Sequence, residues 1–130
     1  MAITVNNTIA QDGKKITIIH CTGLFTATTG EETNAIKLDI STLTPIPSAV
    51  VIERIWYSNT VPGTFLEFDG ATDGVAFVFP DSGEGYQDFR SMGGIRDNST
   101  TPTGDITLST LGTAAAGNGY SFILEIRKID

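Results

Sequence analysis

The chain has 130 residues and a mass of 13.8 kDa, with 40% hydrophobic and 18% charged residues, a composition typical of one globular domain and not of a disordered chain. Eight basic against 15 acidic residues give a formal charge of −7, which argues against binding to nucleic acids or to anionic membrane surfaces. The single cysteine excludes an internal disulfide, and neither a signal peptide nor a membrane-spanning segment is predicted. We therefore expect a single domain over residues 1–130 that folds in a reducing cytoplasm or does not depend on oxidation.

Short segments with strand character follow one another along the chain, separated by glycine, proline, asparagine and aspartate. They are residues 2–9, 16–22, 35–41, 50–59, 64–69, 75–79, 86–90, 106–111 and 120–129. The stretches between them, of which 23–34, 92–104 and 113–119 are the longest, are predicted to be loops. Because no helical pattern interrupts this series, the sequence predicts an all-β fold, an antiparallel two-sheet β-sandwich that is jelly-roll-like and has eight or nine strands.

The segment VVIERIWYSN at residues 50–59 is the longest predicted strand and contains the only tryptophan. Alternation divides it into two faces, which carry Val50, Ile52, Arg54 and Trp56 on one side and Val51, Glu53, Ile55 and Tyr57 on the other. Both faces are mostly apolar, which is typical of a strand covered on two sides, and we expect the other strands to be arranged around it. Glu53 and Arg54 should point to opposite faces, and each should pair with a neighbouring strand or another chain.

Two further segments alternate clearly between apolar and polar residues. In residues 35–41 the pattern predicts Ile36, Leu38 and Ile40 inward and Lys37, Asp39 and Ser41 outward. In residues 120–129 it places Tyr120, Phe122, Leu124 and Ile126 on the core face.

Residues that could carry chemistry are few. His20 and Cys21 are adjacent in a predicted strand, so they should point to opposite faces and cannot form a catalytic dyad. With one histidine and one cysteine, a conventional zinc site is also unexpected. Six acidic residues lie between Glu67 and Asp88 without a basic one, but Asp-Gly pairs are ordinary turn chemistry, so we favour turns over a calcium loop at residues 69–73.

The aromatic residues Trp56, Tyr57 and Tyr86 could form a platform for a sugar ring, although filling a β core is the more common role of such residues. A glycosidase would need two carboxylates facing each other across a cleft, and no pair of that kind is recognisable.

Five stretches carry a resemblance to a known family: ETNAIKLDIS, VIERIWYS, LEFDGATD, GYQDFRSMGG and TGDITLSTLGTAAAGNGYSFILEIRK. Through them the chain, from about residue 3 to residue 128, resembles small head decoration (cement) proteins of tailed bacteriophages. The resemblance implies a non-enzymatic β-sandwich or jelly-roll module that binds the outer surface of the capsid, made in the host cytoplasm and carried in the virion. The implied partners are the major capsid protein and further copies of the chain. No catalytic residue, cofactor or metal is implied.

Other functions remain open at this point. The chain could be a phage-borne carbohydrate-binding module for host attachment, a neck or tail accessory protein on the same fold, or a hydrolase of unrecognised type. For the capsid function we expect a homotrimer on the capsid, because local threefold axes are the most numerous sites on an icosahedral shell. The candidate contact residues are Ile3 and Val5 in the polar N-terminal segment, which could be an edge strand or an arm that pairs only with a partner. Arg90 and Arg96, in or beside the long loop at residues 92–104, are the other two.

Overall fold

The computed structural model describes residues 3–26, 32–111 and 115–129 and contains nine strands. The strands are β1 (Ile3–Asp12), β2 (Ile16–Phe25), β3 (Ala35–Leu38), β4 (Ala49–Asn59), β5 (Thr64–Thr72), β6 (Gly74–Val78), β7 (Gly83–Asp88), β8 (Thr100–Thr110) and β9 (Gly119–Ile129). Two short 3₁₀ turns lie at Ile40–Thr42 and Arg90–Met92, and these parts of the chain contain no α-helix.

The strands form two antiparallel sheets, one of five strands in the order β1-β2-β9-β4-β7 and one of four in the order β3-β8-β5-β6. The predicted all-β sandwich is therefore confirmed. Strands β2 to β9 have the strand order of a jelly roll, in which the hairpin of β5 and β6 lies within the smaller sheet, and β1 is an additional strand at one edge of the larger sheet. β4 is an interior strand of that sheet, as expected, and lies between β7 and the middle strand β9.

The core lies between the two sheets and is built from aliphatic and aromatic side chains. The predicted inward face of β9 is confirmed, since Tyr120, Phe122, Leu124 and Ile126 are all buried. Burying one such side chain is worth about 1.5–3 kcal/mol, so the alternation along β9 contributes strongly to stability.

A bulge in β4 overturns one expectation. The pairing with β9 shifts between Ile52 and Arg54, and the extra residue is Glu53. Glu53 and Arg54 therefore do not point to opposite faces: they contact Arg127 and Glu125, which are two residues apart and lie on the same outer face of β9. Their predicted pairing with a neighbouring strand is confirmed.

A second bulge overturns the pattern predicted for β3 at Ile36 and Lys37 only, since Leu38 and Ile40 are buried as predicted. The pairing with β8 shifts between Ile36 and Leu38, so Lys37 is buried and Ile36 is 53% exposed. The strand ends at Leu38, and the 3₁₀ turn at Ile40–Thr42 replaces the predicted continuation to residue 41.

The predicted loops are shorter than expected. β2 continues through residues 23–25, and β8 begins at Thr100, which leaves residues 93–99 as the irregular part of the segment 92–104. Within it Ile95 forms a bridge with Ile52 and packs against the core, while the neighbouring Gly94 lies against the buried Val51. Residues 2, 27–31 and 112–114, on which parts of the predicted strand 2–9 and of two predicted loops fall, lie outside the described residues.

Candidate functional site

The N-terminal strand β1 is a ten-residue edge strand of the larger sheet. It pairs with β2 on one side, and no described strand pairs with its other side. Ile3 and Val5 are half-buried, and Ile3 packs against the core opposite Phe25. From Asn6 onward every residue of β1 is exposed, so the backbone donors and acceptors of its free edge face solvent.

The middle of β1 is uncovered because the smaller sheet does not extend beneath it. Ile9 lies opposite the core residue Ile19 but is 43% exposed, and the nearby Ile36 of the edge strand β3 is also exposed. Across this opening the Asn7 side-chain amide donates to the Ile36 carbonyl oxygen at 3.5 Å. Two apolar side chains therefore border an unpaired strand edge.

The C-terminal end of β1 is fixed by an ion pair. Asp12 Oδ1 lies 2.7 Å from Nζ of Lys128, which is buried, and the Asp12 carboxylate also accepts hydrogen bonds from Thr17 and from the Thr44 amide. These donors, of which Lys128 has the largest effect, lower the pKa of Asp12 below its ordinary value. β1 is thus held at Ile3 and at Asp12 while its middle stays open.

The two candidate arginines lie far from Ile3 and Val5. Arg90 follows β7, which is the opposite edge strand of the five-stranded sheet from β1, and four strand spacings correspond to roughly 19 Å. The Arg90 guanidinium is bound by the Asp88 carboxylate, with Nη2 2.7 Å from Oδ2, and this interaction lowers the pKa of Asp88. Arg96 is exposed and has no ion pair within the described residues. The four candidates therefore form two separate groups, and Arg96 is the available cation.

His20 and Cys21 lie on opposite faces of β2, as predicted. His20 is exposed on the outer face, with Nε2 3.4 Å from Oγ of Ser121, while Cys21 is fully buried. Burial raises the pKa of the Cys21 thiol to about 12, which keeps it protonated and poorly nucleophilic.

The acidic run between Glu67 and Asp88 is distributed over several turns and strands. Asp73 Oδ1 accepts the Gly70 amide at 3.2 Å, and Asp69 Oδ2 accepts the Thr103 hydroxyl at 2.8 Å. Both contacts are local polar interactions of the kind expected in turns and strand pairs. No group of three or more histidine, cysteine, aspartate or glutamate residues in the described ranges could hold a metal ion.

Of the three aromatic residues considered for a sugar platform, Tyr57 packs against the core, whereas Trp56 and Tyr86 contact each other on the outer face. Tyr57 packs in the core against Phe77 and Phe79, with ring centroids 5.6 and 5.5 Å away. Trp56 lies on the outer face of the five-stranded sheet directly opposite Tyr86 of β7, with ring centroids 5.0 Å apart. The core role that is commoner for aromatic residues thus applies to Tyr57, whereas Tyr86 is 45% exposed.

An open depression of about 430 Å³ adjoins this aromatic pair. Its floor includes the short side chains of Ser58 and Ser121, and the Glu84 carboxylate lies at its rim. The sequence analysis missed these three residues, because only the register of β4 with β7 and β9 brings them beside Trp56.

Comparison with protein-family models, with curated proteins and with solved structures finds no match to this chain. Within the parts of the chain that the structure describes, no helix is long and apolar enough to cross a membrane.

Proposed function

We propose that this chain is a non-enzymatic capsid decoration (cement) protein of a tailed bacteriophage, which binds the outer surface of the head and stabilises the capsid lattice. Its partners are the major capsid protein and further copies of itself, arranged as a homotrimer around a local threefold axis.

The observation that carries the proposal is the open edge of β1. A ten-residue strand with an unpaired edge can add a strand from another protein, since backbone hydrogen bonds supply affinity and flanking apolar side chains supply specificity. Val5 and Ile9 are the apolar side chains available at this edge. We assign the added strand to the major capsid protein.

Two further properties support the same function. Jelly-roll domains recur in viral capsid proteins, which is an argument by analogy of fold, and the sequence stretches quoted above resemble decoration proteins. Arg96 supplies an exposed cation on an otherwise acidic molecule and can pair with a carboxylate on the capsid.

The stabilisation is additive over many copies. Each copy that binds the closed shell better than the open one shifts the equilibrium toward the closed shell by mass action, so a modest affinity per copy is sufficient.

The test measures binding to capsids that lack the protein. Ile9→Lys places a charge beside the free edge and should abolish or strongly weaken binding, because edge lysines oppose strand addition. Val78→Lys is the matched control, since Val78 is also an exposed aliphatic residue but lies on β6 of the other sheet. Arg96→Glu should weaken binding in a salt-dependent manner.

If Ile9→Lys and Arg96→Glu both bind like the parent chain, the assigned contacts are wrong. If the parent chain itself does not bind capsids, the proposed function is wrong.

A further inference from the structure

A trough crosses the outer face of the five-stranded sheet at the end where β4 finishes and β9 begins. It consists of the depression beside Trp56 and a second depression of about 520 Å³, and the two share Ser58 and Ser121. Each volume lies within the range of small-ligand sites, about 300–1,000 Å³. We propose that this outer-face trough binds a neutral oligosaccharide, a binding activity beyond attachment to the capsid.

One end of the trough is an aromatic wall that is held in position before any ligand arrives. Trp56 contacts Tyr86 on one side, and the Arg54 guanidinium lies 5.0 Å from the centroid of the Trp56 ring. Arg54 is itself fixed by a bidentate interaction with the Glu125 carboxylate, in which Nε lies 2.7 Å from Oε2. Rigid aromatic surface suits a sugar, because the C–H face of a pyranose ring packs on an aromatic ring and little side-chain freedom is lost.

The rest of the trough is lined mostly by hydroxyl and amide side chains. They belong to Thr4, Asn6, Thr22, Ser58, Thr60 and Ser121. Hydroxyl and amide groups both donate and accept hydrogen bonds, which matches the mixed character of sugar hydroxyls, and Glu84 adds a strong acceptor at the aromatic end.

This lining favours a sugar over a peptide or an anion. Grooves that bind peptide helices present a row of apolar side-chain pockets, whereas hydroxyl and amide side chains separate Trp56 from Leu24 here. No lysine or arginine is found among the described residues that line the trough, and the chain carries a charge of −7, so an anionic sugar would be repelled.

The trough is suited to binding and not to hydrolysis. Glycoside hydrolysis in most families needs two carboxyl groups across the scissile bond. Among the lining residues that the structure describes, Glu84 is the sole carboxylate.

The experiment uses the fluorescence of Trp56, which is the only tryptophan in the chain and lies in the wall of the trough. The full chain is titrated with N,N′-diacetylchitobiose, maltotriose and cellotriose, and is applied in parallel to an array of neutral glycans. We expect a saturable change in emission with at least one neutral sugar, with a dissociation constant of about 1 mM or below.

Two variants locate the binding site. Tyr86→Ala removes an exposed ring, and Ser58→Tyr fills the depression from an exposed position, so each should weaken binding at least about tenfold, which corresponds to about 1.4 kcal/mol. Val78→Ala removes an exposed aliphatic side chain from the other sheet and should bind like the parent. Far-ultraviolet circular dichroism checks that each variant is folded, and capsid binding should be unchanged in all three.

The proposal is overturned if no neutral glycan gives a saturable signal on the array or in the titration, or if Tyr86→Ala and Ser58→Tyr, both folded, bind as well as Val78→Ala. A signal from anionic glycans or peptides alone would also overturn it. Capsid binding is measured in a separate experiment, so a negative result for glycan binding would not bear on the proposed decoration function.

Discussion

The Lys37 ammonium lies 3.0 Å from a carboxylate oxygen of Glu32, and both side chains are buried. The same ammonium donates to the hydroxyl of Tyr120 at 2.8 Å, and that hydroxyl donates to the second oxygen of Glu32. Burial and the neighbouring carboxylate raise the pKa of Tyr120, so the hydroxyl stays protonated and can act as this donor. Since Lys37 belongs to β3 and Tyr120 to β9, the network joins the two sheets.

Lys37→Met should therefore destabilise the chain. It leaves the buried Glu32 carboxylate without its cation, and breaking a buried ion pair in this way typically costs about 3–5 kcal/mol. The free energy of unfolding from urea denaturation measures the loss. Adding Glu32→Gln to Lys37→Met should recover part of it, and a single variant as stable as the parent would contradict the role assigned to the network.

The ion pair between Asp12 and Lys128 should make stability depend on pH. Asp12→Asn should lower the free energy of unfolding at pH 7, because hydrogen bonds to charged groups are worth about 1.5–3 kcal/mol and the Lys128 ammonium is buried. The pKa of Asp12 is lowered in the folded chain, so its stabilisation is complete above its usual value of 3.8 and is lost as the pH falls through the lowered value. The difference between parent and variant, followed by urea denaturation from pH 7 to pH 2, should thus be constant at the upper end and shrink below about 4. A difference that grows on acidification would contradict this assignment.

Phe122→Ala should be strongly destabilising. The ring is buried at the centre of β9 and contacts Phe79 and Tyr120, with centroids 5.6 and 5.7 Å away. Truncation of a buried phenylalanine costs about 3–5 kcal/mol, seen as a lower midpoint in chemical denaturation. Leu111→Ala, at a residue that is 74% exposed, is the control and should change stability by less than about 0.5 kcal/mol.

Removal of divalent cations should leave the melting temperature unchanged. The carboxylates of Asp69 and Asp73 are engaged by Thr103 and by the Gly70 amide, so the turn does not need an ion to close. Thermal melts with EDTA and with added calcium provide the measurement. A melting temperature that falls in EDTA and recovers with calcium would show that the loop binds the ion.

The sequence predicted the fold class and the inward face of β9, because apolar residues occupy every second position from Tyr120 to Ile126. It failed at Ile36, Lys37 and Glu53, where a bulge inserts one residue, so that a single alternation cannot describe both sides of the bulge. A bulge depends on the partner strand, so the local pattern carries no signal for it.

Only part of the candidate site could be predicted from the sequence, because the rest depends on contacts between strands. The open character of β1 followed from its polar alternation, and Ile3 and Val5 indeed lie in an edge strand. The exposure of Ile9 depends on how far the smaller sheet extends beneath β1, and the trough depends on the register of all five strands of the larger sheet. Neither property is contained in the order of residues along a single strand.

The two edges of the five-stranded sheet are unequal. β7 is short, contains Gly83 and Gly85, and carries the carboxylates of Glu84 and Asp88, features that oppose the addition of another strand. Growth of an open-ended fibre by head-to-tail strand addition within this sheet needs two receptive edges, and here only the β1 edge is receptive. The chain can therefore accumulate at high concentration without polymerising through this sheet, and the β1 edge stays free for a different partner.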